Sequence, residues 1–226
     1  MRTIRQFLLL SFSCLFFVPA FCQDGLGTWN IFNIKYLINE KWGLFGEGQV
    51  RSLQFYDEFH YHEIKAGILY TLDNNFTFAL AGGKYDTYSA GGDFEEPKTS
   101  DEVRLFEQMM MSQNLRHINF EHRYRVEQRF TTNGFRNRFR YRFQFTLPLL
   151  KLEAEPRAIE LVASGEIFFT NRPQYFERLR SFAGLAFPIS NTLTFESGYM
   201  HQFDYNLVDE TGTDFLLIAL ILEIRP

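Results

Sequence analysis

Alternation of apolar and polar residues is the dominant pattern along this chain. It is clearest over residues 117–130, where apolar side chains hold most even positions and charged side chains hold most odd positions. After the turn-forming sequence TTNG at 131–134, the alternation continues through 135–147. A period of two residues is typical of a β-strand with one apolar face, so these two segments are predicted to form a β-hairpin.

Similar alternation elsewhere predicts eleven strands and no helix. The predicted ranges are 26–38, 42–56, 59–72, 76–88, 101–113, 117–130, 135–147, 159–169, 178–189, 192–205 and 215–224. Most of these strands are longer than the five or six residues typical of soluble sheets, and they suffice for the ~9 to 11 tilted residues that cross an outer membrane. Short connections such as 39–41 and 73–75 alternate with longer ones such as 89–100 and 171–177, as in barrels with periplasmic turns and external loops.

The fold class that follows is all-β, an antiparallel up-and-down transmembrane β-barrel of ten to twelve strands. An odd strand count conflicts with the even number usual in bacterial outer-membrane barrels. Two alternatives remain open at this point. Either the segment 26–38 lies outside the barrel wall, which leaves ten strands, or one division between strands is missed, which gives twelve.

The first 22 residues have the organisation of a Sec signal peptide. Arg2 and Arg5 precede an apolar run at 7–18 and a short segment that ends in a small residue. Cleavage before Gln23 is predicted, with cleavage after Ala20 as the alternative. The remainder, 23–226, is predicted to be a single outer-membrane β-barrel domain of a Gram-negative bacterium. Both cysteines lie in the leader, so no disulfide framework is available.

Composition excludes several classes of protein. Aromatic residues make up 18% of the 226 residues and charged residues 22%, which together exclude a disordered chain and a helical membrane bundle. The longest apolar run after the leader has only eight residues, 215–222, whereas a spanning helix needs ~20. Loss of the leader lowers Lys plus Arg from 23 to 21 against 27 acidic residues, a net charge of −6, so a nucleic-acid partner is not expected.

A soluble periplasmic binding barrel is the main structural alternative, because its apolar core would also produce alternation. The membrane barrel is favoured by aromatic residues near strand ends, which are typical of an interfacial girdle. These residues are Phe55, Tyr56, Tyr85, Tyr88, Tyr199, Phe203 and Tyr205.

Seven arginines project from one face of the predicted hairpin and are expected to line the lumen. They are Arg123, Arg125, Arg129, Arg136, Arg138, Arg140 and Arg142. Their expected partners in the lumen are Glu121, Glu127, Glu160 and Glu166, with Glu47, Glu63 and Glu196 as further candidates across the barrel. Such a network would fill a small barrel structurally. It could also form an anion-attracting constriction or a site for phosphate or carboxylate groups.

Histidines raise an enzyme hypothesis, since outer-membrane lipid hydrolases use a histidine with a serine and a carboxylate. His201 is the best candidate, but Ser197 lies about 13 Å along the same strand and Asp204 points to the opposite face. His122 falls on the apolar face without an evident partner. His60 and His62 share one predicted strand face, yet no third ligand lies nearby, so no metal site and no cofactor are predicted.

Several motifs resemble those of a known family. They are Gly27-Thr28-Trp29-Asn30, Glu121-His122-Arg123-Tyr124-Arg125, Asn137-Arg138-Phe139-Arg140-Tyr141-Arg142 and Tyr199-Met200-His201-Gln202-Phe203-Asp204. Together they resemble an uncharacterised family of exported Bacteroidota proteins, the domain-of-unknown-function family numbered twenty-four ninety. The resemblance covers essentially the whole mature chain. It implies an outer-membrane barrel and no established activity.

The functional prediction is an outer-membrane barrel of unknown physiological role, acting as a narrow porin-like channel or a structural barrel. A lipid-modifying enzyme of deacylase or phospholipase type is the alternative, and a soluble binding barrel is the third hypothesis. The expected partners are outer-membrane lipid, the barrel assembly machinery during biogenesis and a small anionic solute.

Overall fold

The computed structural model describes residues 25–151, 158–205 and 210–225, so the predicted signal peptide lies outside the described residues. The described chain folds into eleven strands. They are β1 (Gly27–Leu37), β2 (Trp42–Gln54), β3 (Asp57–Thr71), β4 (Phe76–Thr87), β5 (Ser100–Leu115), β6 (Ile118–Thr131), β7 (Gly134–Lys151), β8 (Ala158–Thr170), β9 (Phe176–Pro188), β10 (Leu193–Asp204) and β11 (Thr211–Ile224). In this part of the chain, no helix is long and apolar enough to cross a membrane.

The strands form one closed barrel in which each strand pairs with its neighbours in sequence. Every sequential pair is antiparallel, as predicted, but the pair that closes the barrel, β1 with β11, is parallel. Eleven sequential antiparallel strands require this, because the first and last strands of an odd set run in the same direction. The all-β barrel prediction is therefore confirmed, whereas its uniformly antiparallel form is wrong at one seam.

The strand count resolves the two alternatives left open by the sequence. The segment 26–38 does not lie outside the wall, because β1 pairs along its length with both β2 and β11. No further division produces a twelfth strand among the described residues. Strand β11 begins at Thr211, earlier than predicted, and β7 continues past an irregularity between Pro148 and Leu150.

The two ends of the barrel differ in their connections. One end, here called the loop end, carries the connections 55–56, 88–99, 132–133 and 171–175. The other end, here called the turn end, carries 38–41, 72–75, 116–117 and 189–192. The longest described connection, 88–99, lies at the loop end as predicted, but 55–56 and 132–133 at the same end have only two residues each, so the expected alternation of loop lengths is observed only in part.

Each strand presents opposite faces to the lumen and to the exterior, because successive side chains alternate. On β6, Glu127 is fully buried and faces the lumen, while the neighbouring Val126 is 37% exposed on the outside. Large apolar residues recur on the outer surface around the barrel, including Phe32 of β1, Ile64 of β3 and Phe139 of β7. Glu107 of β5 interrupts this outer face and accepts a hydrogen bond from Gln128 of β6 at 3.0 Å.

A pair of glycines lets an aromatic ring pack against the inner wall. Gly184 of β9 lies opposite Gly198 of β10, and the ring of Phe182 covers both. A Cβ atom at Gly198 would lie 2.8 Å from a ring carbon of Phe182 and closer still to the carbonyl oxygen of Ala183. Glycine is therefore required here by close approach.

We expect Gly198→Ala to lower the free energy of unfolding by about 1–3 kcal/mol, because overpacking forces the ring or the strands to move. Gly165→Ala is the matched control, since a Cβ there would meet nothing within 4 Å, and its effect should stay within about 0.5 kcal/mol. Urea unfolding of the detergent-solubilised protein measures both changes. Equal midpoints for the two variants would contradict the close packing.

Candidate functional site in the barrel lumen

A polar cavity of about 430 Å³ occupies the lumen on the side of the loop end. All seven arginines predicted from the hairpin line it, as does Glu166. Its lining ends at residues such as Gln144, Ser164 and Glu196. Nearer the turn end, the inner wall includes small buried side chains such as Ala79, Ala186 and Ala219 together with charged ones such as Glu160. The cavity thus has charged walls.

Glu127 is the centre of the charged network. Its carboxylate accepts hydrogen bonds from Arg138, through Nε at 2.8 Å, and from Arg140, through Nη1 at 2.7 Å. Nη1 of Arg125 lies 3.5 Å and Nη1 of Arg104 4.0 Å from the same carboxylate. Glu127 has no exposed surface, so a single buried charge is shared among four guanidinium groups. Charge-assisted bonds of this kind are stronger than neutral ones.

Glu166 forms the second node, on β8. Arg140 approaches it with two parallel bonds, from Nε and Nη2 to the two carboxylate oxygens, each 3.0 Å long. Arg123 of β6 donates to the same group from Nη2 at 2.7 Å. This bidentate geometry matches the fork of the guanidinium to the carboxylate and fixes the orientation of Arg140 between the two acidic nodes.

The other predicted acidic partners have varied surroundings. Glu121 accepts a bond from Arg142 at 2.5 Å, as expected for neighbours in the hairpin. Glu160 lies on the same face of β8 as Glu166, but nearer the turn end and outside the cavity lining. Glu63 does not reach the hairpin: it pairs with Lys65 at 2.7 Å and Arg51 at 3.4 Å. The curvature of the barrel keeps these groups on the wall formed by β2 and β3.

Sequence reasoning missed several members of the network. Glu102 binds Arg104 and Arg129, and Glu177 bridges Arg129 and Arg138 at 3.1 Å each. The alternation on β5 places Glu102 and Arg104 on one face, which could have identified both. Glu177 lies at the start of β9, where the sequence prediction assigned a loop, so no periodicity marked it.

Aromatic rings support the guanidinium groups from within the lumen. Arg125 lies 4.2 Å from the ring centre of Phe106, and Arg140 lies 4.6 Å from that of Phe168. Both phenylalanines are fully buried. A cation over a ring face gains electrostatic attraction that grows when water is excluded. The interior therefore combines ion pairs with cation–π contacts.

Positive charge exceeds negative charge around the cavity. Twelve cationic and six acidic side chains line it. Three further acids pair with these cations: Glu121 with Arg142, Glu127 with several arginines, and Asp204 with Arg178. An excess of three positive charges remains among these residues. Neither Arg136 nor Arg180 forms an ion pair with a carboxylate of the described chain.

The predicted pair of histidines on β3 is separated by a bulge. The register shifts between Arg51 and Ser52, so that His60 turns into the cavity while His62 stays on the outer side. The expectation that the two share one strand face is therefore wrong. His62 contacts the rings of Tyr88 and Phe94. No group of three or more potential metal ligands occurs among the described residues.

The connection 88–99 folds against the barrel at the loop end. Phe94 donates its backbone N–H to the carbonyl of Phe59, and Lys98 lies 3.3 Å from Asp86. Desolvation lowers the pKa of Lys98, but the hydrogen bond and charge of Asp86 outweigh it and raise that pKa above its ordinary value. Tyr88 is covered by this connection and is 9% exposed, so it does not contribute to an outer aromatic girdle.

Tyr85 was also expected in the girdle and instead faces the lumen. It is 3% exposed, and the guanidinium of Arg104 lies 3.7 Å from its ring centre. Its position on β4 places it on the inward face with Ala81 and Ala79, four and six residues earlier. Tyr199, Phe55 and Tyr56, by contrast, are exposed on the outside near the loop end.

His201 has a carboxylate partner that the sequence did not reveal. Its Nδ1 lies 2.6 Å from Asp214, which is directly opposite on β11, and Tyr199 donates to the same carboxylate at 2.5 Å. Ser197 and Asp204, which the sequence analysis judged too distant or wrongly oriented, are not bonded to it among the contacts described. Because the imidazole leans towards β11, over Gly212, it turns away from Ser181, its neighbour on β9. Among the described residues, His201 and Asp214 thus form a histidine–aspartate pair, and no hydroxyl group is hydrogen-bonded to the imidazole.

His122 also has a partner on the outer surface. Its Nδ1 lies 2.8 Å from the hydroxyl of Tyr141 on β7, and its ring packs against Phe143. It therefore belongs to an aromatic cluster on the outer face.

A family model described as a protein of unknown function, DUF2490, matches residues 26–212, which include β1 to β10 and the whole arginine-rich hairpin. This chain belongs to the DUF2490 family. No curated protein matches the DUF2490 chain. No solved structure matches it either. The closed barrel of this DUF2490 protein is compatible with an outer-membrane location.

Proposed function

We propose that this DUF2490 protein is an outer-membrane β-barrel that acts as a narrow, anion-selective, porin-like passage. The observation that carries the proposal is the reversed distribution of side chains. Charged residues such as Glu127, Arg138 and Arg104 are buried inside, while large apolar residues are exposed outside. A protein in water buries apolar residues and exposes charged ones, whereas a membrane barrel does the reverse.

The outer surface supports lipid rather than water as the surroundings. Ile64 is 67% exposed, Leu80 54% and Phe32 50%, and residues of this kind occur on almost every strand. Soluble monomers rarely expose contiguous apolar patches larger than a few hundred Å². Closure through the β1–β11 seam also leaves no unpaired strand edge, which the hydrocarbon region demands of a spanning structure. These features argue against the soluble binding barrel.

Anion selectivity follows from the excess of positive charge. A pore lined by arginine attracts anions and repels cations. Arg136, near the loop end, and Arg180, deeper in the cavity, form no ion pair in the described chain, and Glu177 and Glu166 act on them only from a greater distance. Nearby carboxylates therefore reduce the positive field of these two side chains least, and an anion that enters the lumen is attracted to them.

Conductance in a planar bilayer tests the proposal. The wild-type protein should give small discrete steps with a reversal potential that indicates anion preference in a salt gradient. Arg136→Gln and Arg180→Gln should each lower the anion-to-cation permeability ratio about twofold or more, because each removes a positive charge that has no ion pair in the described chain. Neither change leaves a carboxylate without a partner, so folding should be retained.

Lys41→Gln is the control, since Lys41 is exposed in a connection at the turn end. It removes one positive charge outside the cavity and should leave the reversal potential unchanged. Cation preference would contradict the proposal. So would silence from protein shown by protease protection to be inserted in the bilayer.

A further inference from the structure

Charged side chains of β2, β3 and β5 to β10 line most of the cavity. One part of the lining, here called the apolar wall, is different: it is formed by side chains of β1, β9, β10 and β11 that belong to one buried cluster. Cavity-lining residues on this apolar wall are Trp29, Ile31, Phe182, Met200 and Leu217. Conduction of inorganic ions alone does not require an apolar surface beside the charged groups.

Arg180 lies at the boundary between the charged lining and the apolar wall. It is two residues from Phe182 on the inward face of β9, and it is 8% exposed. Its Nε donates to Gln202 at 2.9 Å, and its guanidinium carbon lies 4.7 Å from the ring centre of Trp29. Glu166 lies opposite it on β8, but no carboxylate of the described chain forms an ion pair with it. A buried charge without a close counter-ion is costly, and an anion from outside would relieve that cost.

Arg51 approaches the same tryptophan. Its guanidinium carbon lies 3.4 Å from the ring centre of Trp29, and its Nη2 donates to Gln49 at 3.0 Å. Its buried Nε has no hydrogen-bond partner among the described residues. Two guanidinium groups thus lie close to one indole ring, and of the two only Arg51 has an ion pair, with Glu63 at 3.4 Å, among the described residues.

We propose that the cavity binds an amphiphilic organic anion. Its carboxylate or phosphate group would pair with Arg180 beside Arg51, and its apolar body would lie along Phe182, Met200 and Leu217. The volume of about 430 Å³ is at the lower end of the range for small-molecule sites, so the ligand is a single short chain or ring rather than a bilayer lipid. The inference deepens the proposed function and rests on its claim that anions enter the lumen from the loop end.

The two tryptophans of the chain provide a direct readout. Trp29 lines the cavity, whereas Trp42 is 46% exposed on the outer surface at the start of β2. In a Trp42→Phe background, emission therefore reports on the cavity alone. In a Trp29→Phe background, it reports on partition of the probe into detergent around the barrel.

Titration with octanoate should change Trp29 emission in a saturable manner. Acetate and inorganic phosphate should bind at least about tenfold more weakly, because they lack an apolar body. Octanol should also bind more weakly, because it lacks a charge. Hexyl phosphate should bind comparably to octanoate if the site accepts either head group, and its failure to bind would restrict the class to carboxylates.

Variants of Arg180 and Met200 separate the contributions of the charged group and the apolar wall. Arg180→Gln should weaken octanoate binding about tenfold or more, and Arg180→Lys should restore part of it. Met200→Gln should weaken octanoate several-fold and leave acetate unaffected. Arg172→Gln is the matched control, because Arg172 is exposed in a connection at the loop end. Gel mobility with and without heating verifies that each variant is folded.

Equal affinity for acetate and octanoate would overturn the inference, as would binding that is insensitive to Arg180→Gln. Changes of the same size in the Trp29→Phe background would show partition into detergent and would also overturn it. Because the titration does not depend on conduction, octanoate binding by a non-conducting barrel would contradict the proposed passage only. Conduction without octanoate binding would contradict this inference only.

Discussion

Glu127→Gln should lower the free energy of unfolding by about 3–5 kcal/mol, the range for removing one partner of a buried ion pair. The carboxylate has no exposed surface and bonds Arg138 and Arg140 at 2.6 and 2.7 Å. Glutamine preserves the size of the side chain but not its charge. The arginines would therefore stay buried with their mutual repulsion and without their shared counter-ion.

Urea titration of the protein in detergent micelles measures this change. Glu40→Gln is the control, because Glu40 is exposed in a connection at the turn end, and its effect should stay within about 0.5 kcal/mol. Arg180→Gln should not lower the free energy of unfolding in the way that Glu127→Gln does. Removal of a cation without a counter-ion should be neutral or stabilising, whereas removal of the anion is destabilising. A small effect of Glu127→Gln, similar to that of Glu40→Gln, would show that water reaches the network and screens it.

Phe32→Arg should destabilise the folded barrel in vesicles by about 2–4 kcal/mol. This is the cost of an arginine on a lipid-facing position at the bilayer midplane. Phe32 is at the centre of β1, is 50% exposed, and lies between Leu220 of β11 and Gly48 of β2. In water the same change on an exposed site would alter stability by no more than about 0.5 kcal/mol. The magnitude therefore distinguishes lipid from water around the barrel.

Two further variants complete the test. Phe32→Leu separates loss of the ring from gain of charge, and it should be much milder than Phe32→Arg. Phe55→Arg places the same charge in the connection 55–56 at the loop end, where the expected cost is about 0–1 kcal/mol. The fraction of heat-modifiable, folded protein after refolding into vesicles reports all three. If Phe32→Arg folded as well as Phe55→Arg, the outer face of β1 would not contact lipid.

The arginine face of the site could largely be predicted from the sequence. On β6 and β7, arginines alternate with aromatic residues, and that period alone placed seven guanidinium groups on one face. Which acids neutralise them was only partly visible. Glu127 and Glu166 were identified because they lie on the hairpin or the next strand. Glu102 and Glu177 reach the same arginines from β5 and β9 through the curvature of the wall.

The partner of the outer histidine His201 was also not predictable from the sequence. His201 had no acceptable partner along its own strand, because residues there are separated by the rise of the chain. Its partner Asp214 is 13 residues away in sequence and directly opposite in the sheet. Register between strands decides such pairs, and periodicity within one strand carries no information about register.

The sequence by itself determined the strands, their order and the arginine face, since alternation and turn residues are local properties of the chain. Only the tertiary structure decided how the barrel closes, because the β1–β11 pairing joins residues almost a full chain length apart. It also decided that Phe182, Leu217 and Trp29 face the lumen. On β11 both faces are apolar, so hydropathy cannot distinguish the inner face from the outer one. Closure assigns each side chain to a face and thereby creates the apolar wall beside the arginines.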